Sequence, residues 1–122
     1  MNNNMNKQLQ DLMDRQKDWS DKTFAGGKFT YARAVPISYH LQKETRELTD
    51  AVEKFIRNPG DKMAIDARGE IADVLLLLLD CAAHIGMSVD SMMVCAEAKH
   101  QVNVNRKWGA PDVNGVVEHI RE

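Results

Sequence analysis

The chain has 122 residues, enough for one domain with a real core but not for two, and its net charge of −2 gives no broad attraction to nucleic acid or an anionic membrane. The apolar run Val74–Leu79 is far shorter than the roughly 20 residues that span a bilayer, and Asp80 interrupts it. Cys81 and Cys95 fall among apolar residues and read as buried thiols, and the start MNNNMNKQ lacks a basic-then-apolar signal pattern. A soluble, cytoplasmic protein without nucleic-acid or membrane partners is expected.

In chain order, the first helix is expected from Lys7 to Trp19, with Leu9, Leu12, Met13 and Gln16 on one face, and Ser20 or Asp21 capping a short turn near Thr23. AGGKFTYARAVP reads as a loop, with two glycines and Pro36. Ser38 is a candidate cap for a second helix, Tyr39 to Arg57, stopped by Asn58-Pro59-Gly60. Asp61 opens a short segment running into a long acidic helix that ends near Gly86; Gly69 within it costs about 1 kcal/mol against alanine and suggests a close helix approach. Ser88 or Asp90 caps the last helix, Ser91 to Trp108, with Gly109 and Pro111 as stops. No repeat or period-two pattern appears. The fold class expected is all-α, a four-helix bundle with an N-terminal extra helix.

Two acidic pairs stand out: Glu44-x-x-Glu47 and Glu70-x-x-Asp73. Positions i and i+3 project from one helix face, about 4.5 Å apart along it, and the spacer is long enough to turn the chain and bring the pairs together. Such pairs are commonly solvated surface. Here Glu44 falls inside the apolar stripe of Leu41, Leu48, Val52 and Phe55, and Glu47 lies at its edge. On the next helix Asp66, Glu70, Asp73, Asp80 and His84 share one stripe of about 80°, while the other faces are apolar, the mark of a central helix. Facing carboxylates repel unless protonated or neutralised, and a hard divalent cation such as Mg²⁺ suits an all-oxygen set. The last helix places Lys99, Asn103 and Arg106 within about 60°; alone this reads as a basic helix end complementing the macrodipole, but together with the acidic cluster it reads as a grip for phosphate oxygens.

These residues resemble the MazG-like nucleoside triphosphate pyrophosphohydrolases, an all-α superfamily that also contains dimeric dUTPases. The resemblance rests on Glu44-x-x-Glu47, Glu70-x-x-Asp73 in the context GEIADVLL, and Lys99, Asn103, Arg106 and Trp108 downstream, spanning about 39–109. It implies conversion of a (d)NTP to the monophosphate and pyrophosphate. Glu44, Glu47, Glu70 and Asp73 would hold Mg²⁺ or Mn²⁺, and Glu44 or Glu47 would be catalytic, Glu47 being the candidate base. Lys99, Asn103 and Arg106 would bind phosphate in a dimer or tetramer. DWSDKTF is similar to short, often virus-encoded relatives acting on purine deoxynucleotides such as dGTP or dATP. Trp19, Phe24, Phe29 and Tyr31 are candidates to stack on the base, or else to close one end of a small core, and His40 reads as structural.

Two other classes compete. A di-iron carboxylate bundle needs two Glu-x-x-His motifs, and only Glu97-x-x-His100 is present. A non-enzymatic dimerisation module explains the apolar helix but not acids confined to one stripe of it.

Overall fold

The computed structural model describes residues 3–121. It contains four α-helices, α1 (Asn3–Ala25), α2 (Ala34–Arg57), α3 (Asp61–His84) and α4 (Val89–Val104), with a 3₁₀ turn at Tyr31–Arg33. Among the described residues there is no strand, only an isolated bridge between Trp108 and His119, and no single helix is long and apolar enough to cross a membrane. The all-α expectation holds. The chain forms two compact units, one ending at Val89 and one beginning at Asp90.

In the first unit α3 is the central element: α2 packs along it, and α1 and the 3₁₀ turn cover it from elsewhere. Helix α1 continues through Ser20 and Asp21, which are buried inside it and do not cap a turn. Nothing in SDKTFA stops a helix; Gly26 and Gly27 do, at φ +61° and +84°, with the Gly27 N–H on the Asp21 carbonyl oxygen. Helix α2 starts five residues earlier than expected, at Ala34, because the 3₁₀ turn feeds directly into it and Pro36 occupies a first-turn position where no N–H is needed. Ser38 is therefore internal, its hydroxyl donating to the Val35 carbonyl oxygen.

Helix α3 absorbs the expected short segment and is one continuous helix from Asp61. It ends in a Schellman motif: Met87 N–H bonds the Ala82 oxygen, Gly86 N–H bonds the Ala83 oxygen, and Gly86 takes φ +84°. Only its C-terminal half is core, through Leu77, Leu79, Asp80, Ala82 and His84. Ile65, Ile71, Leu75, Leu78 and Ile85 stay exposed, so the chain alone does not bury the whole helix. A Cβ on Gly69 would meet nothing within 4 Å, so no close helix approach within the chain explains that glycine.

The second unit contains α4 from Asp90 and a closed tail. Asp90 lies in the first turn of α4, which ends at Val104, four residues short of Trp108. Gly109 N–H then bonds the Glu118 oxygen and Ile120 N–H the Lys107 oxygen around a turn at Asp112–Gly115. Both cysteines are free, and Cys95 is exposed, not buried. Cys81 is half-buried; burial and the charge of Asp80 push its thiol pKa up, away from reactivity.

Candidate active site

Helices α2 and α3 bring both acidic pairs together. One carboxylate oxygen from each of Glu44, Glu47 and Glu70 lies within 4.8 Å of the others. Asp73, one turn beyond Glu70, is outside that group but close enough for its charge to act on Glu44. The Glu44 side chain is 13 % exposed, and its Oε1 is 3.4 Å from Nε2 of His40. Oε2 of Glu44 and Oε2 of Glu70 are buried without a hydrogen-bond partner. Buried carboxylate oxygens left without donors, in a set offering only hard oxygen ligands, fit Mg²⁺ or Mn²⁺.

Crowding shows in the titration of Glu44. Burial, close contact with the Glu47 and Glu70 carboxyls, and the charges of Glu47 and Asp73 push its pKa up from 4.5 to about 7. A carboxyl whose folded pKa lies above its unfolded value contributes stability that is present below pH 4.5 and lost as pH rises through about 7. Metal-free Glu44→Gln should therefore melt above the parent at pH 8, by about 1–2 kcal/mol after allowance for partial exposure, and show little gain at pH 4.5. Thermal melts in chelator at both values check this; an equal gain at both would mean that Glu44 carries no such strain.

The cluster stands between two concavities of the first unit. One, of about 660 Å³, is lined by Trp19 and Phe24 of α1, Ile37, His40 and Glu44 of α2, and Asp73, Leu77 and Asp80 of α3. The other, of about 550 Å³, carries Glu47, Glu70 and Asp73 with Lys54 and Asp66. Asp73 borders both. Trp19 and Phe24 meet edge-to-face at 5.5 Å and remain largely exposed, so they offer ring surface to a ligand. Phe29 and Tyr31 are not among the residues lining this cavity. Phe29 instead stacks on His84 at 5.2 Å, under the ammonium of Lys17, and Tyr31 packs edge-on against Phe29. His40, read as structural, lines the cavity beside Glu44.

Behind the cavity lies a buried polar network that the spacing of charges did not disclose. His84 is fully buried, with Nε2 2.7 Å from Asp21 Oδ1 and Nδ1 2.8 Å from the Asp80 carbonyl oxygen. Asp21 also receives Arg33 Nε and Lys17 Nζ, each at 3.3 Å, and Arg33 bonds the Ser20 hydroxyl. Burial alone would raise the Asp21 carboxyl, but hydrogen bonds from His84, Arg33 and Lys17 and the His84 charge hold it below its ordinary value. The network ties α1, the 3₁₀ turn and α3 together, and three of its members, Ser20, Arg33 and Asp80, also line the cavity. Its only sequence trace was the placement of Asp80 and His84 on the acidic stripe.

In the second unit, Arg106 Nη1 donates to Asn103 Oδ1 at 3.3 Å, and Trp108 Nε1 to the Asn103 carbonyl oxygen at 2.9 Å. Desolvation and the charges of Arg106, Arg121 and Lys99 lower the His119 pKa, so Lys99 and Arg106 share one cationic neighbourhood. Glu97 and His100 are both exposed and enter no group of three or more metal-ligating side chains among the described residues, which leaves the di-iron reading without a site.

No curated protein and no solved structure matches the chain. A family model described as dATP/dGTP pyrophosphohydrolase matches residues 12–122, from the middle of α1 through the acidic pairs to the tail. The chain therefore belongs to the dATP/dGTP pyrophosphohydrolase family, a family of MazG-like nucleoside triphosphate pyrophosphohydrolases.

Proposed function

We propose that the protein is a metal-dependent pyrophosphohydrolase converting a purine deoxynucleoside triphosphate to its monophosphate and pyrophosphate. The observation that carries this reading is the convergence of Glu44, Glu47 and Glu70, with two orphaned buried oxygens, beside a cavity that Glu44 and Asp73 help to line and that is large enough for a nucleoside. Glu44, Glu47 and Glu70 would hold Mg²⁺ or Mn²⁺, with Asp73 closing the set. Bound there, the cation would neutralise the triphosphate and acidify a water. Glu47, which faces the smaller concavity together with Lys54, accepts the proton of the attacking water. Trp19 and Phe24 stack on the base. Incubation with Mg²⁺ and a panel of dNTPs and NTPs tests the reading: monophosphate and pyrophosphate should appear in equal amounts. Release of inorganic phosphate with a diphosphate, or no turnover with any nucleotide, would overturn it.

Lys99, Asn103 and Arg106 are assigned to the phosphates and not to the metal. Arg106→Ala should then weaken nucleotide binding and slow turnover, by up to a few kcal/mol if a desolvated charge pair is lost. Mn²⁺ affinity without nucleotide should stay nearly unchanged. Titration showing unaltered nucleotide binding in both Arg106→Ala and Lys99→Ala would remove the assignment.

The working unit is proposed to be a dimer or tetramer. Ile65, Ile71, Leu75 and Leu78 of α3 lie exposed along one helix, and self-association would cover them. Light scattering at micromolar concentration should give at least twice the chain mass of 13.8 kDa. A fully active monomer would exclude the shared face.

A further inference from the structure

The tail after α4 turns back on itself. Gly109 N–H bonds the Glu118 carbonyl oxygen at 2.9 Å and Ile120 N–H the Lys107 carbonyl oxygen at 2.7 Å. Trp108 and His119 are thereby the close, non-hydrogen-bonded pair of a short antiparallel bridge. Their rings meet edge-on at 6.0 Å, and Trp108 Nε1 donates to the Asn103 carbonyl oxygen at 2.9 Å, which fastens the bridge to the end of α4. In an antiparallel pairing the residues two beyond such a pair return to the same face. At one end of this bridge those residues are Arg106 and Arg121.

Like charges set side by side cost stability, and nothing within the chain offsets the cost here. Among the described residues no carboxylate pairs with Lys99, Arg106 or Arg121. The Arg106 side chain donates to Asn103, a neutral amide. Desolvation, and then the charges of Arg106, Arg121 and Lys99, lower the His119 pKa, with Glu118 the one acid opposing them. Three cations thus share one neighbourhood with donors left unused, the arrangement that an anion completes.

Resting on the proposed pyrophosphohydrolase reading, we infer that Arg121 is a further phosphate-binding residue, set by the folded tail beside Arg106 and Lys99 to hold the two phosphates that leave as pyrophosphate. Arginine offers a rigid fork of N–H donors matched to phosphate oxygens, and lysine a point charge. Two forks and an ammonium present more donors than the single phosphate of a nucleoside monophosphate can receive, and suit a chain of two. The grip therefore favours the triphosphate substrate over the monophosphate product.

Calorimetric titration of inorganic pyrophosphate and of dAMP, with Mg²⁺, into the wild-type protein and Arg121→Ala tests this, together with KM for dATP. The Kd for pyrophosphate and the KM for dATP should rise by about 10-fold or more, the size of a lost charge-assisted hydrogen bond. The Kd for dAMP and the Mn²⁺ affinity without nucleotide should barely change. Arg121 is exposed and has no ion-pair partner among the described residues, so the variant should fold as the parent does. Arg121→Lys, which keeps the charge without the fork, should recover part of the loss. Unchanged pyrophosphate affinity in Arg121→Ala, or an equal loss for pyrophosphate and dAMP, would overturn the inference. A wild-type protein that binds pyrophosphate through Arg121 but turns over no nucleotide would instead overturn the pyrophosphohydrolase reading beneath it.

Discussion

Glu44→Ala, Glu70→Ala and Asp73→Ala should each abolish nucleotide turnover, a loss of about 10³-fold or more, while far-UV circular dichroism stays helical. The expectation follows from geometry: Glu44 and Glu70 come from different helices, their oxygens approach within 4.8 Å, and each keeps one buried oxygen without a partner. No hydrogen bond within the protein is lost at those atoms when they are removed, so the fold has little to lose. Mn²⁺ titration followed by electron paramagnetic resonance separates roles: Glu44→Ala and Glu70→Ala should abolish binding, whereas Glu47→Gln, which keeps one oxygen for the cation but loses the proton acceptor, should still bind Mn²⁺, more weakly, and turn over slowly. Near-parent turnover in any variant would take that residue out of the metal site.

His84→Ala should destabilise the fold by about 3–5 kcal/mol, because it leaves Asp21 and Asp80 buried with one cationic partner fewer. Differential scanning calorimetry should show a fall in Tm of about 10 °C or more. The pH dependence has the opposite sign to that of Glu44. Asp21 has a folded pKa below its ordinary 3.8, so its contribution is present above that value and lost as pH falls through the folded pKa. Acid should therefore narrow the gap between parent and His84→Ala. A gap that is constant from pH 7 to pH 2 would mean that the Asp21–His84 pair contributes nothing specific.

Helix periodicity was enough to locate Glu44, Glu47 and Glu70, because a carboxylate inside an apolar stripe contradicts the stripe and marks itself. The stop at Asn58-Pro59-Gly60 and the turn near Gly86 were equally plain, since proline and positive-φ glycine act locally. What failed were decisions made by tertiary partners. Ser20 and Asp21 look like caps in isolation, and only Arg33 and His84 make them interior residues. Phe29 and Tyr31 share a composition with Trp19 and Phe24, but the glycine turn between the two pairs sends Phe29 onto His84. Asp80 was visible on the acidic stripe, seven residues after Asp73, but nothing in the spacing tells an ion-pair partner from a group lining a cavity.

Helix α1 supplies walls to the larger cavity, Trp19 and Phe24 among them, but none of the three converging acids, all of which lie on the α2–α3 hairpin. Inheritance of the two parts can thus be uncoupled. A descendant gene can exchange side chains on one face of α1 and explore new cavity shapes while the acid cluster is passed on intact. Changes at Ser20 or Asp21 on that same helix are barred, since both anchor it to Arg33 and His84. Variation along α1 should therefore come in a pattern, with Trp19 and Phe24 exchanging for other ring-bearing side chains and Ser20 and Asp21 frozen between them, and a library randomised over 16–24 would sort its survivors that way.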